Sequence, residues 1–406
     1  MQSNPRGRKE EHPDHKLRVL ELGQRLGLIK VESPVSGLPK ENTRFIEAVD
    51  SGSLFRLDWV KFKIIDGCNI KCVMCNHWRR EGYKKSFLTK KRLISLSAEL
   101  AKAGTKHVHW TGGEPTIRPD LPEIISHYQQ TGITCNITSN GTRMTEEFAD
   151  RLCTAGLNAI AMSLESSDEK THDTVVGSPG AWAKLIAGAG FLSSHRPESP
   201  KITFQTVLTS INTNAHLIGL VDIAARFGVR RIRFQPITVK HLQEDERHLL
   251  PTNSQLAEFS ESILPQIAAM GKSHRVDIQV DGSSVVGSQL QKVIGDKHGA
   301  GHHFDPAGAH SKDFYTTRKC YLPYYHCTVD YRGNVFVCCH MREEEGLLGN
   351  ITNQSLMDVL NSDRAKILRK KIGTESVPAS CRECTMQIGE NQTIDYLLKQ
   401  HSPVIA

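Results

Sequence analysis

The feature that most constrains the fold is a regular alternation of strand and helix patterns between residues 59 and 237. Six segments have the apolar or β-branched composition of strands: 59–65, 107–110, 134–138, 159–164, 202–208 and 231–237. Between them lie helix patterns at 90–103, 121–130, 145–155, 182–193 and 215–227. Apolar strands separated by helices are typical of a parallel sheet, so the alternation predicts an α/β fold. Six such units fit a partial (βα)6 TIM-type barrel better than a doubly wound sheet, although periodicity alone does not decide between them.

The remaining sequence divides around this core. Residues 1–58 form an N-terminal helical extension, with helix patterns at 17–28 and 43–49. The barrel core spans 59–296 and includes a later helix at 254–270 and a strand at 276–280. Residues 297–318 are rich in His and Gly and predict a flexible connection. Residues 319–406 form a small C-terminal cysteine-rich domain.

Composition narrows the class of protein. At 38% hydrophobic and 23% charged residues, the chain of 406 residues is typical of soluble globular proteins. It has no apolar run long enough for a bilayer and no signal-peptide core at its N-terminus, so we expect a cytoplasmic protein with no membrane partner. The net charge of +7 is small for this length. With no long basic run we expect no nucleic-acid partner, although a mildly positive surface favours an anionic substrate.

The cysteines are clustered. A chain in a reducing compartment rarely keeps structural disulfides, so clustered cysteines indicate metal ligands or catalytic groups. Of the 11 cysteines, three lie at positions 68, 72 and 75, and six lie between positions 320 and 384. Cys135 and Cys153 stand alone, and we expect them to be structural.

The first group has the spacing C-x3-C-x2-C directly after the first strand. Three closely spaced thiolates, Cys68, Cys72 and Cys75, can hold three irons of a 4Fe–4S cluster. No fourth cysteine is near, so one iron is left for a substrate-like ligand. The alternative is a zinc site with His77 as its fourth ligand.

Three short motifs follow the next three strands: TGGEP at 111–115, TSNG at 138–141 and SLE at 163–165. The two glycines of TGGEP allow close backbone approach to a ligand, and its glutamate offers a carboxylate to a cationic amine. TSNG and SLE place polar side chains at the carboxyl ends of strands, where barrel active sites lie. The alternative is ordinary N-capping of the next helix.

The second cysteine group supplies four thiolates for a closed site: Cys320, Cys338, Cys381 and Cys384. A turn at 332–334 followed by an alternating strand predicts a hairpin that brings Cys338 beside the incoming chain. A C-x2-C pair is also half of a zinc ribbon, so spacing alone does not separate iron–sulfur from zinc. We expect Cys327 to be a buried apolar residue and Cys339 to point away from its neighbour, with substitution for one of the four ligands as the alternative for either.

Together these motifs resemble the radical S-adenosylmethionine (SAM) superfamily over about residues 60–240. Residues 319–386 resemble its C-terminal auxiliary-cluster module, SPASM, in the shortened twitch form. The resemblance implies that the open iron of the first cluster binds SAM, and that Cys320, Cys338, Cys381 and Cys384 hold one auxiliary 4Fe–4S cluster. The residues that it places around SAM are Met74, Gly112, Gly113, Glu114, Ser139, Asn140, Ser163 and Glu165.

One motif departs from the family. The sequence HDTVVG at 172–177 has Val176 where the family often has arginine. The SAM carboxylate would then need another partner, and Arg233 on the sixth strand is a candidate. A surface or core-edge charge is the alternative interpretation of Arg233.

The resemblance also implies the chemistry. An electron from a flavodoxin- or ferredoxin-type donor cleaves SAM, and the resulting 5′-deoxyadenosyl radical takes a hydrogen atom from a substrate. Our leading hypothesis is oxidation, by dehydrogenation, of a small polar metabolite, with the auxiliary cluster as electron acceptor. It depends on the single auxiliary cluster and on residues 1–58 being too short for a peptide-recognition domain. The rivals are maturation of a ribosomal precursor peptide, by cross-linking or epimerisation, and a non-catalytic metal-binding protein. Epimerisation needs a hydrogen-atom donor, for which Tyr321, Tyr324 and Tyr325 are candidates by position; no other catalytic side chain is predicted.

Overall fold

The structure is a computed structural model that describes residues 38–75, 78, 88–195, 200–237, 242–280, 313–341, 344–382, 384, 391 and 394. The helix pattern at 17–28, His77 and most of the connection at 297–318 lie outside these residues. Within the described ranges, no single helix is long and apolar enough to cross a bilayer.

One sheet of ten strands forms the centre of the described chain, in the order β10-β9-β8-β1-β2-β3-β4-β5-β6-β7. Seven strands follow chain order and are all parallel: β1 Trp59–Lys63, β2 His107–Thr111, β3 Thr134–Ser139, β4 Ala159–Ser163, β5 Lys201–Leu208, β6 Arg231–Pro236 and β7 Asp277–Val280. Three more strands extend the sheet beyond β1: β8 His326–Val329, β9 Asn334–Phe336 and β10 Leu347–Asn350. The predicted α/β class with a parallel sheet is confirmed.

Helices connect these strands. Those up to β6 are α1 Leu38–Ser51, α2 Lys90–Lys102, α3 Leu121–Gln130, α4 Glu146–Thr154, α5 Glu169–Val176, α6 Ala181–His195 and α7 Leu220–Arg226. Those after β6 are α8 Asn253–Glu258, α9 Leu264–His274, α10 Phe314–Thr317, α11 Leu356–Leu360, α12 Asp363–Lys371 and α13 Ala379–Arg382.

Most predicted helices begin and end within two residues of the predicted positions, because capping residues fix where the helices begin. The side chains of Thr89 and Thr145 accept hydrogen bonds from the first turns of α2 and α4. Two long predicted helices are interrupted in the structure. The helix predicted at 215–227 divides into a 3₁₀ turn and α7, and the one predicted at 254–270 contains a π-helical turn between α8 and α9. Helix α5 was not predicted, since it is only eight residues long and ends in β-branched residues.

The two faces of the sheet differ in chemistry. Val60, Phe62, Val108 and Trp110 are fully buried on the face covered by helices. The intervening residues lie on the opposite face, which we call the lumen face. The register places polar side chains side by side there, namely Lys61 with His109, Ser163 with Gln205, and Gln205 with Arg233. Strand β7 pairs only with β6 among the described strands, so the barrel is partial.

The C-terminal domain continues this sheet. Strand β8 runs parallel to β1, with Trp59 opposite His326, and a hairpin joins β8 to the antiparallel β9. The hairpin turn needs Gly333, whose φ of +85° is unfavourable for other residues. The hairpin was predicted from the sequence, but its pairing with β1 was not.

Helix α1 packs against the C-terminal domain. The ring of Phe45 lies 5.6 Å from that of Tyr321 and 6.3 Å from that of Tyr324, measured between centroids. The backbone amide of Phe55 donates to the Tyr324 carbonyl at 3.0 Å. The described part of residues 1–58 therefore supports the chain around the second cysteine group.

Candidate functional site

The first cysteine loop leaves the carboxyl end of β1. Cys68, Cys72 and Cys75 are half-buried, and the Cys75 amide donates to the Cys72 carbonyl at 3.1 Å. Burial raises the pKa of Cys68 to about 11, and it raises that of Cys72 well above the ordinary value for a thiol. Three thiolates here need a positive partner, which iron would supply.

The two glycines of TGGEP lie against this loop. An added Cβ at Gly112 would be 2.2 Å from the Ile65 carbonyl oxygen, and one at Gly113 would be 2.1 Å from that of Gly67. The Gly113 and Glu114 amides donate to those same carbonyls, each at 2.8 Å. The close approach that these glycines permit is therefore to the chain's own backbone, where it aligns the ends of β1 and β2.

Glu114 joins the ends of strands β2 and β3. It is 1% exposed, and its carboxylate accepts hydrogen bonds from Ser139 Oγ at 2.8 Å and from the Asn140 amide at 2.7 Å. The Thr116 hydroxyl and amide also donate to it. Burial raises the pKa of Glu114, while these donors oppose the rise. Three of these bonds fall on Oε1 and one, from the Asn140 amide, on Oε2, so an amine contact would fall on Oε2.

Asn140 connects this network to the cysteine loop. Its Nδ2 lies 3.8 Å from Cys68 Sγ and donates to Asn69 Oδ1 at 3.1 Å. The capping alternative is wrong for both strand-end motifs, because Thr145 caps α4 and Asp168 caps α5. Asn69 and Thr116 were missed by the sequence analysis, and no pattern in the sequence distinguishes them.

Glu165 lies at the end of the next strand, near Cys72. It is 2% exposed, and its Oε2 accepts from the Val207 amide at 2.7 Å. Burial raises its pKa to about 8, and its charge contributes to the raised pKa of Cys72. Ser163 is half-buried on the lumen face of β4, and Met74 is half-buried within the cysteine loop.

The second cysteine group surrounds one cavity. Cys320, Cys338, Cys381 and Cys384 all line a space of about 30 Å³, together with apolar side chains and His340. The Nδ2 of Asn391, which the sequence analysis missed, lies 3.7 Å from Cys320 Sγ and also donates to the Tyr315 hydroxyl. The structure thus brings together the four cysteines that the sequence grouped.

The other two C-terminal cysteines lie elsewhere. Cys327 is 0% exposed in the main apolar core, as predicted. Burial alone would raise the pKa of Cys339, but the charge of Lys61, together with the hydrogen bond and the charge of His340, outweighs burial and lowers it to about 7. Cys339 is not among the described residues that line the cavity, and Lys61, the charge that lowers its pKa most, lies on the lumen face. The three candidate tyrosines are also buried, in a separate cluster around Phe45.

The arrangement of the four thiols admits either a zinc ion or a cluster. Zinc holds its thiolates at about 2.3 Å, so their sulfurs must converge on one point. Among the described residues, no three His, Cys, Asp or Glu side chains converge in that way. Four thiols that face one cavity supply ligands for a zinc ion or for an iron–sulfur cluster.

The two cysteine groups lie at opposite ends of β1. The first loop follows the carboxyl end of that strand. Cys320 precedes β8, which is parallel to β1, and Cys338 follows the antiparallel β9, so both lie toward the amino end. The lumen face between them carries Lys61 and His109. Arg233 lies on the same face of β6, beside Gln205.

Comparison with known proteins agrees with this arrangement. Residues 62–209 match the radical SAM superfamily, and residues 320–385 match the SPASM iron–sulfur cluster-binding domain. The chain is 25% identical over 325 residues to a PqqA peptide cyclase of Methylocella silvestris, covering 78% of this chain and 77% of that one. It is 30% identical over 129 residues to an AdoMet-dependent heme synthase of Methanosarcina barkeri, covering 32% and 37%.

Solved structures show the same fold. Streptococcus suis SuiB matches with a TM-score of 0.61 and 16% identity, covering 87% of this chain and 78% of that one. The protein anSMEcpe with bound AdoMet matches with a TM-score of 0.57 and 15% identity, covering 82% and 84%. The chain belongs to the radical SAM superfamily and carries a C-terminal SPASM domain.

These two domains imply SAM, a SAM-binding 4Fe–4S cluster and an auxiliary iron–sulfur cluster. The residues present fit these groups: three half-buried thiols beside buried carboxylates at one end of the barrel, and four thiols around an apolar cavity at the other.

Proposed function

We propose that this protein matures a ribosomally made peptide by abstracting a hydrogen atom from one of its residues and cross-linking that residue. The observation that carries this proposal is the extent of the similarity to PqqA peptide cyclases. It extends over 78% of this chain, whereas the heme synthase similarity covers only 32%. Similarity confined to a third of the chain reflects a shared core more than a shared substrate.

The proposal assigns each site a role. Cys68, Cys72 and Cys75 hold the first cluster, and SAM lies among Met74, Gly112, Gly113, Glu114, Ser139, Asn140, Ser163 and Glu165. Cys320, Cys338, Cys381 and Cys384 hold the auxiliary cluster. When bound, SAM supplies the 5′-deoxyadenosyl radical, and the auxiliary cluster accepts an electron. The side chains of the lumen face position the peptide and exclude water.

The placement of the two sites supports a net oxidation. A substrate in the lumen would meet the first site at one end and the auxiliary cavity at the other. Cross-linking removes two hydrogens from the peptide, and the second electron needs an acceptor. A flavodoxin or ferredoxin would supply the electron that starts each cycle.

The test uses peptides encoded beside the gene. The reconstituted protein is incubated without oxygen with SAM, dithionite and each peptide, and the products are measured by mass spectrometry. We expect one peptide to lose two mass units, with a matching amount of 5′-deoxyadenosine. A peptide whose mass is unchanged in ordinary water, but which gains a carbon-bound deuterium in heavy water, would indicate epimerisation instead.

A parallel panel of sugars and cyclitols tests the small-metabolite hypothesis. If only a polyol is oxidised with stoichiometric 5′-deoxyadenosine, and no peptide changes, the peptide proposal is wrong. Absence of any SAM cleavage under strong reduction would favour the non-catalytic alternative.

A further inference from the structure

The motif HDTVVG at 172–177 differs from the pattern common in the superfamily, and the structure shows what each half of it does. Val176, at the position where arginine is common, is 1% exposed. It packs with Ile70 and Ala181 against Cys68 and Cys72. An arginine there would have to bury its guanidinium or displace the loop. In this chain the position therefore serves packing under the first cysteine loop.

The carboxyl end of α5 is hydrogen-bonded to the cysteine loop on both sides of Cys72. The Lys71 amide donates to the Val176 carbonyl at 3.2 Å, and the Val73 amide donates to the Val175 carbonyl at 2.9 Å. Gly177 follows with a φ of +59°. An added Cβ there would be 2.4 Å from the Lys71 carbonyl oxygen, so only glycine allows this contact.

The other half of the motif faces the end of β4. The Nδ1 atom of His172 accepts a hydrogen bond from the Glu165 amide at 3.1 Å. Burial lowers the pKa of His172 to about 4, which keeps the ring neutral and able to accept. The Asp173 carboxylate accepts from the amides of Gly180 and Trp182, which fixes the corner between α5 and α6.

We propose that α5 and its corner act as a clamp that holds the loop of Cys72 at a fixed position relative to Glu165. One helix of eight residues contacts both groups, so it relates the first cluster to the neighbouring end of β4. Val175, Val176 and Gly177 are positioning residues for the cysteine loop, and His172 is a positioning residue for Glu165. This inference is independent of the substrate.

The main test compares Gly177→Ala with Gly228→Ala. Both glycines have left-handed backbones, with φ of +59° and +64°, but an added Cβ at Gly228 meets nothing within 4 Å. Backbone strain is thus matched, and only the contact with the cysteine loop differs. Two clusters correspond to about eight irons per chain. We expect Gly177→Ala to keep about four irons and Gly228→Ala to keep about eight.

Hydrogen exchange of the metal-free protein gives a second readout. Loss of the clamp should increase exchange at the amides of Lys71 and Val73 at least about fivefold, the equivalent of one hydrogen bond. The amides of the auxiliary-cluster domain should not change. Retention of both the iron and the protection in Gly177→Ala would overturn the proposal, as would equal losses in Gly228→Ala.

Two further variants complete the test. If circular dichroism shows that Gly177→Ala is unfolded, Val176→Ala tests the clamp in its place. That variant removes the packing of Val176 on Ile70 without straining the backbone. Partial loss of iron at the first site supports the clamp, and full occupancy contradicts it. His172→Ala should keep the iron but raise the SAM concentration for half-maximal cleavage by about fivefold. An unchanged value would remove His172 from the proposal.

Discussion

The two cysteine sites of this protein differ in number of thiols, in exposure and in charge. The first has three half-buried thiols, with Glu114 and Glu165 buried nearby. The second has four thiols around an apolar cavity that no carboxylate lines among the described residues. A site that must bind and cleave a polar ligand keeps an open position and polar neighbours. A site that only transfers electrons can be closed by its own thiolates.

The largest effect should come from removing the first site. We expect changing Cys68, Cys72 and Cys75 together to alanine to abolish formation of 5′-deoxyadenosine, because no thiolates remain to hold the cleaving cluster. About four irons per chain should remain at the second site. The control is Cys153→Ala, a buried cysteine of the core, which should keep both clusters. Near-zero iron with one bound zinc would mean that the second site is structural.

A smaller effect on activity and iron content should distinguish Cys338, at the second site, from its neighbour Cys339. Cys338 lines the cavity, whereas Cys339 interacts with Lys61. We therefore expect Cys338→Ala to lose the auxiliary cluster and the modified product while retaining SAM cleavage with dithionite. Cys339→Ala should retain all its iron. The reverse result would show that the ligand assignment is off by one residue.

The carboxylates of the first site should make the metal-free protein sensitive to pH. The pKa of Glu165 is raised from 4.5 to about 8, so its contribution to stability is complete below pH 4.5 and is lost as pH rises through 8. The loss is at most roughly 5 kcal/mol. Unfolding temperatures between pH 5 and 8 should therefore fall less steeply for Glu165→Gln than for the unchanged protein. Parallel curves would show that Glu165 does not ionise in this range.

The smallest effect compares two asparagines. Asn140 lies 3.8 Å from the sulfur of Cys68, and Asn391 lies 3.7 Å from that of Cys320, so each site has one amide near one thiol. Loss of a hydrogen bond to sulfur lowers a cluster's reduction potential. Asn140→Ala should lower the reduction potential of the first cluster only, and Asn391→Ala that of the auxiliary cluster only, each by roughly 20–60 mV. If one variant changed the reduction potentials of both clusters, the substitution would have rearranged more than its own site.

Much of the barrel was predictable because its signals are local. Apolar strands and capped helices depend on residues close in sequence, so most ends agree within two residues. Helix α5 was missed because eight residues with a β-branched end show little periodicity. The break within 215–227 was also missed, since an amphipathic pattern does not show where a 3₁₀ turn interrupts a helix.

The cysteine spacings by themselves predicted the chemistry, because three thiolates in eight residues or a C-x2-C pair can hold iron whatever surrounds them. The sequence alone also grouped Cys320 and Cys338 with Cys381 and Cys384.

Only the tertiary structure decided how these groups are arranged. It pairs β8 with β1, and it places α5 between the cysteine loop and Glu165. It also turns Gly112 and Gly113 toward the chain's own backbone. These contacts join residues that are distant in sequence, and only the packing of the whole sheet brings them together.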